Sequence, residues 1–236
     1  MKKITVISFL LMFQINLFSQ TVYNLNALTG RGDLELIGDS YKLQKEAFEA
    51  FNAMKDAAAV EGVTIEIVSS YRSFEHQKRI WKRKYKMFIS KGLSPRLAIA
   101  KIIEYSTIPG TSRHHWGTDI DIIDGSVSKP KNILIEENYF DKGVYSNLKK
   151  WMDENSEKFG FYLVYTNNSS RKGFKFEPWH YSFKLLSKPM LVEFKKIDLG
   201  NLYTKIELKG YKFLTQEFLE KYNKENIFDI NPNLDN

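Results

Sequence analysis

The chain has 236 residues, a formal net charge of +7 and no cysteine. The absence of cysteine excludes disulfides, thiolate metal sites, cysteine nucleophiles and a lipid-modified N-terminal cysteine. The positive charge fits a soluble surface with more lysine than acid, or a partner among anionic polymers.

The first twenty residues read as a secretory leader: Lys2 and Lys3 form a basic start, Ile4 to Phe13 is apolar, and Leu17-Phe18-Ser19-Gln20 offers a processing site. The apolar run is too short to span a bilayer comfortably. This predicts an exported protein, in the periplasm or cell envelope, with no stable membrane anchor once the leader is cut. Loss of Lys2 and Lys3 with it leaves +5. The remainder, 21–236, is long enough for one substantial core and is expected to be a single domain. Arg31-Gly32-Asp33 spells an integrin-binding tripeptide, a three-letter match that carries no weight.

Ser40 is placed to cap a helix over 41–60, with Leu43, Ala47, Phe51, Met54 and Ala58 on one apolar face. Val63 to Val68 alternates and is rich in β-branched residues, the pattern of a strand, and it delivers Ser69 to Ser73 at its end. A very basic helix comes next, from Phe74 to about Ile89. Another starts at Ser94-Pro95, with proline at a favoured first-turn position, and runs to about Tyr105. A loop over 107–113 leads to a short strand over 117–123. Residues 124–144 form a polar connection of weak structure. Tyr145 to Lys158 reads as a helix with Leu148, Trp151 and Met152 inward, and Phe161 to Tyr165 as a strand whose hairpin partner returns through Phe174 to Phe183. The tail, 184–236, shows no cluster of chemically competent residues, and Thr215 to Asn226 reads as a terminal helix. Helices mix with short strands without regular βαβ alternation, which predicts an α+β fold.

Three separated stretches together supply what a hydrolytic zinc site needs: three imidazole or carboxylate ligands and an open position for water. In the first, 112–121, His114 stands where a loop becomes a strand. Alternation along that strand sends Asp119 and Asp121 to one face and Ile120 and Ile122 to the other, so either aspartate could join a metal held by His114. In the second, Glu177-Pro178-Trp179-His180, spacing of three does not put Glu177 and His180 on one face of a regular strand. A bulge at Pro178 would re-aim them, with Trp179 packed beneath His180. The third, Ser69 to Ser73, carries Arg72, whose guanidinium suits a substrate carboxylate or a developing oxyanion, or an ordinary ion pair with Glu75. His76 and His115 read as supporting or surface residues. The cluster Lys78, Arg79, Lys82, Arg83, Lys84 and Lys86 could bind nucleic acid, but a basic helix is more often a solvated face and export argues against that partner.

The pattern Ser-x-His-x-x-Gly-x-x-x-Asp, preceded by Ser-x-Tyr-Arg-Ser and succeeded by Glu-x-Trp-His, resembles the VanY-type D-alanyl-D-alanine carboxypeptidases. These belong to the LAS group of zinc peptidases, with a Hedgehog-like metal domain. The resemblance covers about 40–185 and leaves an extension from about 190 unmatched. It implies a small antiparallel sheet carrying the zinc site between flanking helices. It also implies His114, Asp121 and His180 as Zn2+ ligands, Glu177 as general base and Arg72 as substrate and transition-state clamp. Gln77, Ser112 and Tyr71 would lie near the substrate, with Asp119 and Trp179 behind the ligands. The family's seven-residue step selects His114 over His115. Where the family commonly has alanine, this chain has Asp119. The implied substrates are peptidoglycan stem peptides cut near a C-terminal D-alanine. An L,D-carboxypeptidase or endopeptidase on the same site, and an inactive metal-holding wall-binding domain, are the alternatives.

Overall fold

The computed structural model describes residues 23–32, 34–203 and 206–235. The leader expected over 1–20 and Asp33 of the tripeptide lie outside them. In chain order the elements are α1 (Leu25–Leu28), α2 (Lys45–Val60), β1 (Ile65–Ser69), α3 (Phe74–Ser90), α4 (Pro95–Ile102), β2 (Asp119–Asp124), α5 (Ser146–Asn155), β3 (Phe161–Leu163), β4 (His180–Phe183), α6 (Lys184–Phe194), α7 (Leu199–Tyr203) and α8 (Gln216–Tyr222). The strands form one antiparallel sheet in the order β1-β2-β4-β3, so the fold is α+β, with helices flanking a small sheet.

β2 is central and buried along its whole length. Its Ile120 and Ile122 join Ala47, Phe51, Met54 and Ala58 of α2 and Leu148, Trp151 and Met152 of α5 in one apolar cluster. Asp119 and Asp121, alternating with those isoleucines, point to the opposite face. Each fully buried aliphatic or aromatic side chain in such a cluster contributes about 1.5–3 kcal/mol. A second cluster joins Trp81, Ile99, Ile102 and Ile108 to Met190, Leu191, Phe194, Leu219 and Tyr222 of the tail.

Two local departures from regular structure aim the site. β1 pairs Ile67 with Ile122 but Ser69 with Asp121, so one extra residue, Val68, bulges from the ladder beside Asp121. A bulge bends its strand and re-aims the residues after it, here Ser69 to Arg72. At the other motif no bulge occurs. The His180 amide donates to the Glu177 carbonyl at 3.1 Å, closing a turn over Pro178 and Trp179 before β4 begins. Proline suits the second position of such a turn.

The first long helix begins at Lys45, not Tyr41. Leu43 is taken by an antiparallel bridge to Ile37, so Ser40 caps nothing there and the chain turns into helix only at Gln44. The tail is tied to the loop ahead of His114 and to α3. The Tyr203 hydroxyl donates to the Pro109 carbonyl at 2.6 Å, the Tyr222 hydroxyl accepts from the Ile108 amide at 3.1 Å, and the Trp81 indole donates to the Lys209 carbonyl at 2.9 Å. No described helix is long and apolar enough to cross a membrane.

Candidate metal centre

His114 lies in a tight 3-10 turn, Arg113–Trp116, closed by Gly117 at φ +66°. A side chain there would be strained, and its Cβ would stand 2.6 Å from Leu36. Gly117 then releases the chain into β2, which carries Asp121 opposite His180 of β4. Ligand atoms of His114, Asp121 and His180 all lie within 4.8 Å of one another, and all three residues are buried. Donors at about 2.0–2.2 Å from one zinc ion can be no more than about 4.4 Å apart. Shifts of a few tenths of an ångström bring this set into range.

Hydrogen bonds select which imidazole nitrogen faces the centre. Nδ1 of His114 donates to the Ser70 carbonyl at 2.8 Å, leaving Nε2 towards Asp121 Oδ2 at 3.3 Å. Nε2 of His180 donates to Asp119 Oδ1 at 3.0 Å, leaving Nδ1 towards Asp121 Oδ1 at 3.9 Å. A metal-binding histidine held through its other nitrogen has its ring and tautomer fixed in advance. Burial and the Arg72 charge push His114 below the usual histidine range, so its Nε2 lone pair is available. Burial works against charge on Asp121, but His114, His180 and Arg72 together hold its carboxyl well below the usual range. Burial also opposes charge on His180, yet bonds to Asp119 and Glu177 and the field of Asp121 raise it to about 9. The carboxylates around His180 thus stabilise a positive charge at this spot, and a divalent ion supplies one in place of a proton. The donor set, two imidazoles and a carboxylate, is the kind that zinc takes.

Asp119 stands behind the ligands. Its Oδ1 accepts from Arg113 Nε and His180 Nε2, both at 3.0 Å, and its Oδ2 from Thr118 Oγ1 at 2.6 Å and Ser182 Oγ at 2.9 Å. With both oxygens so engaged, Asp119 orients His180, and Asp121 is left to face the candidate centre. Glu177 is buried, and its Oε2 lies 3.0 Å from His180 Nδ1. Burial raises its carboxyl above the usual range, against the pull of His180. Arg72 donates through Nη2 to Asp121 Oδ2 at 2.8 Å and through Nε to Ser69 Oγ at 2.9 Å, so its ion pair is with Asp121 and not Glu75.

His115 is fully buried. Its Nδ1 donates to the Arg72 carbonyl at 2.6 Å and its Nε2 accepts from the Gly110 amide at 3.1 Å. Burial pushes it down to about 3, so it stays neutral and can serve both bonds. Gly30 presses on this ring: its φ is +72°, and a Cβ would stand 2.4 Å from Nδ1.

A cavity of about 760 Å³ opens over the centre, lined by Arg72, Ser112, His114, Asp121, Glu177, Trp179 and His180 among others. Gln77 and Tyr71 are not among the lining residues. Gln77 belongs to the buried face of α3 with Phe74 and Trp81, and its amide donates to the Thr107 carbonyl at 3.0 Å. It holds the loop that walls the cavity and does not itself reach into it. Trp179 packs against Tyr105 and Tyr139 in the cavity wall. The ring set edge-on to His180 is that of Tyr165, 5.2 Å away between centroids. Tyr165, Arg113 and Ser182 also serve the site without standing out in the sequence, and Lys84, read there only as part of a basic run, lines the cavity. Of these, only Arg113 carries a local signal, its adjacency to His114.

Comparison with known proteins agrees with this geometry. Residues 40–185 match the family model "VanY: D-alanyl-D-alanine carboxypeptidase". A D-alanyl-D-alanine carboxypeptidase of Enterococcus faecalis is 29% identical over 152 residues, 64% of this chain and 52% of that protein. A bifunctional D-Ala-D-Ala dipeptidase and carboxypeptidase, VanXYC of Enterococcus gallinarum, is 25% identical over 158 residues, 66% of this chain and 75% of that protein. This chain spans about half the length of the first of these. Among solved structures, VanYB in complex with D-alanine-D-alanine shares the fold at a TM-score of 0.55 and 24% identity, over 75% of this chain and 92% of that one. A mutant of the vancomycin resistance D,D-pentapeptidase VanY in complex with Zn(II) aligns at a TM-score of 0.53 and 25% identity, over 72% and 89%. With the family model matching more than half of its length, the chain belongs to the VanY D-alanyl-D-alanine carboxypeptidase family.

Proposed function

We propose that this chain is an exported zinc peptidase that hydrolyses peptidoglycan stem peptides as a D-alanyl-D-alanine carboxypeptidase. The observation that carries the reading is the convergence of His114, Asp121 and His180, with Glu177 and Arg72 on the same cavity. Family membership and relatives with that activity support the substrate class. Residues 21–236 are read as one folding unit with its core over about 40–185. The extension from about 190 supports the loop before His114 through Tyr203 and Tyr222.

His114, Asp121 and His180 would hold the ion. Bound zinc supplies a Lewis acid and brings the pKa of a coordinated water close to 7. The chain's own residues do the rest. Glu177, buried and beside the ligands, accepts a proton on a carboxylate oxygen and delivers it to the departing amine. Its raised affinity for a proton suits both halves of that exchange. Arg72 reaches the centre through Nη2 and donates to the oxygen on which negative charge builds. His115 and Ser69 hold that arginine from its backbone and side chain. Ser112 offers a hydroxyl from the cavity wall.

Arg72→Ala should lower kcat by about 10²–10³, the usual cost of one transition-state donor. Arg72→Lys should not restore it, because a point charge cannot reproduce the planar fork that bonds Asp121 and Ser69 together. Kinetics with zinc content measured alongside checks both.

The test of the reading is direct. The leaderless protein, loaded with zinc, is incubated with an acyl-D-alanyl-D-alanine peptide, and released D-alanine is measured. Release supports the carboxypeptidase. Mass analysis of digested stem peptides would show an L,D or internal cut if the site takes that bond instead. Zinc bound with no cleavage of any of these peptides would leave a wall-binding domain and end the enzyme reading.

A further inference from the structure

Helix α3 shows two working faces. Phe74, Gln77 and Trp81 are buried in the molecule. His76, Ile80, Arg83 and Lys84, at helical steps of four, three and one, all line the cavity over the metal centre. Several lysines outside this wall sit on carboxylates: Lys101 and Lys175 on Glu104, Lys129 on Glu66, Lys149 on Asp153. Lys84 is different. It is half-buried in the cavity wall, and among the described residues no carboxylate stands within ion-pair distance of its ammonium. Burial works against its charge, and the favourable field it feels comes from Glu177 across the cavity. Arg83 on the same wall is likewise without an ion-pair partner among the described residues. The acids Glu136 and Glu137 also line the cavity, from another segment, and are exposed; neither pairs with Lys84 or Arg83.

A partly desolvated cation is retained at a cost unless something completes it. The cavity, at about 760 Å³, has room beyond one scissile bond for a neighbouring peptide residue. We infer that Lys84, with Arg83 next to it on the same wall, forms an anion subsite that reads a carboxylate of the substrate peptide other than the attacked carbonyl. The inference rests on the peptidase reading and deepens it. The substrate class becomes a stem peptide carrying a free carboxylate within reach of α3, on a side chain before the scissile bond or at the C-terminus. Lys84 is thereby a specificity residue, with no part in bond cleavage.

Three substrates separate the possibilities: an acetylated tripeptide ending in D-alanyl-D-alanine whose first residue carries a side-chain carboxylate, the same peptide with that group as carboxamide, and the same peptide amidated at its C-terminus. Lys84→Gln should raise KM about tenfold for whichever carboxylate is read, since a hydrogen bond to a charged group is lost. It should leave kcat within about twofold and zinc content unchanged, because the interaction is equal in ground and transition states. Removing that carboxylate from the substrate should erase the difference between wild type and variant. If it is the side-chain group, the carboxamide peptide shows no difference; if it is the terminal group, the amidated one shows none. A KM that shifts equally for all three peptides, or for none, overturns the inference. Calorimetric binding of the three intact peptides to Glu177→Gln protein, with and without Lys84→Gln, gives an answer independent of turnover. If wild type cleaves nothing, the peptidase reading fails, while a carboxylate-dependent loss of binding in the variant would still support the subsite.

Discussion

Glu177→Gln is expected to keep its zinc and lose its turnover. Glu177 lies outside the ligand triad, and it is held by the turn that its own carbonyl closes with the His180 amide. Glutamine has nearly the same shape, so it should leave the ligand triad in place. It cannot accept a proton at working pH. The loss of a positioned base costs about 10²–10⁴ in kcat. Metal analysis and steady-state kinetics on the same preparation check it. A variant that loses its zinc along with its activity would make Glu177 a ligand. A variant that retains activity would move the proton transfer elsewhere.

Asp119→Ala should have the second large effect, on stability and metal affinity together. Asp119 is fully buried, and both its oxygens are occupied, by Arg113, His180, Thr118 and Ser182. Removing it leaves the Arg113 guanidinium, itself 2% exposed, without a counter-charge. Breaking a buried ion pair by deleting one partner typically costs about 3–5 kcal/mol. His180 also loses the acceptor that fixes its Nε2, and loss of such a partner typically weakens metal binding about 10–100-fold. The two losses can be separated. Arg113→Met in the Asp119→Ala background removes the orphaned charge and should recover stability in denaturant melts without recovering zinc affinity. If the double variant binds zinc as wild type does, Asp119 acts only as a counter-ion for Arg113. The buried Arg113–Asp119–Ser182 group thus ties β2 and β4 together behind His180.

The features legible in the sequence were mostly those that local periodicity encodes. The alternation over 63–68 marks β1, and the alternation of Asp119 and Asp121 with Ile120 and Ile122 places carboxylates and core on opposite faces of β2. The features it hid depend on distant segments. Ser40 looked like a helix cap because nothing nearby announces the Ile37–Leu43 bridge that delays α2. Gln77 looked substrate-facing, yet its spacing from Phe74 and Trp81 places it on the inward stripe of α3, a clue present in the sequence. The bulge was expected at Pro178 and occurs instead at Val68, because the mismatch of register lies between β1 and β2. Arg113 is marked only by its place beside His114, and its burial is not legible there, since its partners come from β2 and β4. The use of the tail was equally invisible: Tyr203 and Tyr222 are ordinary core aromatics until the loop over 108–111 is seen against them.

Anomalous diffraction at the zinc edge, from crystals of the zinc-loaded protein, tests most directly whether two imidazoles and one carboxylate share a single divalent ion. One peak is expected, at about 2.0–2.2 Å from Nε2 of His114, Nδ1 of His180 and a carboxylate oxygen of Asp121. A peak coordinated by Asp119 in place of Asp121, or no peak between the two histidines, would contradict that convergence.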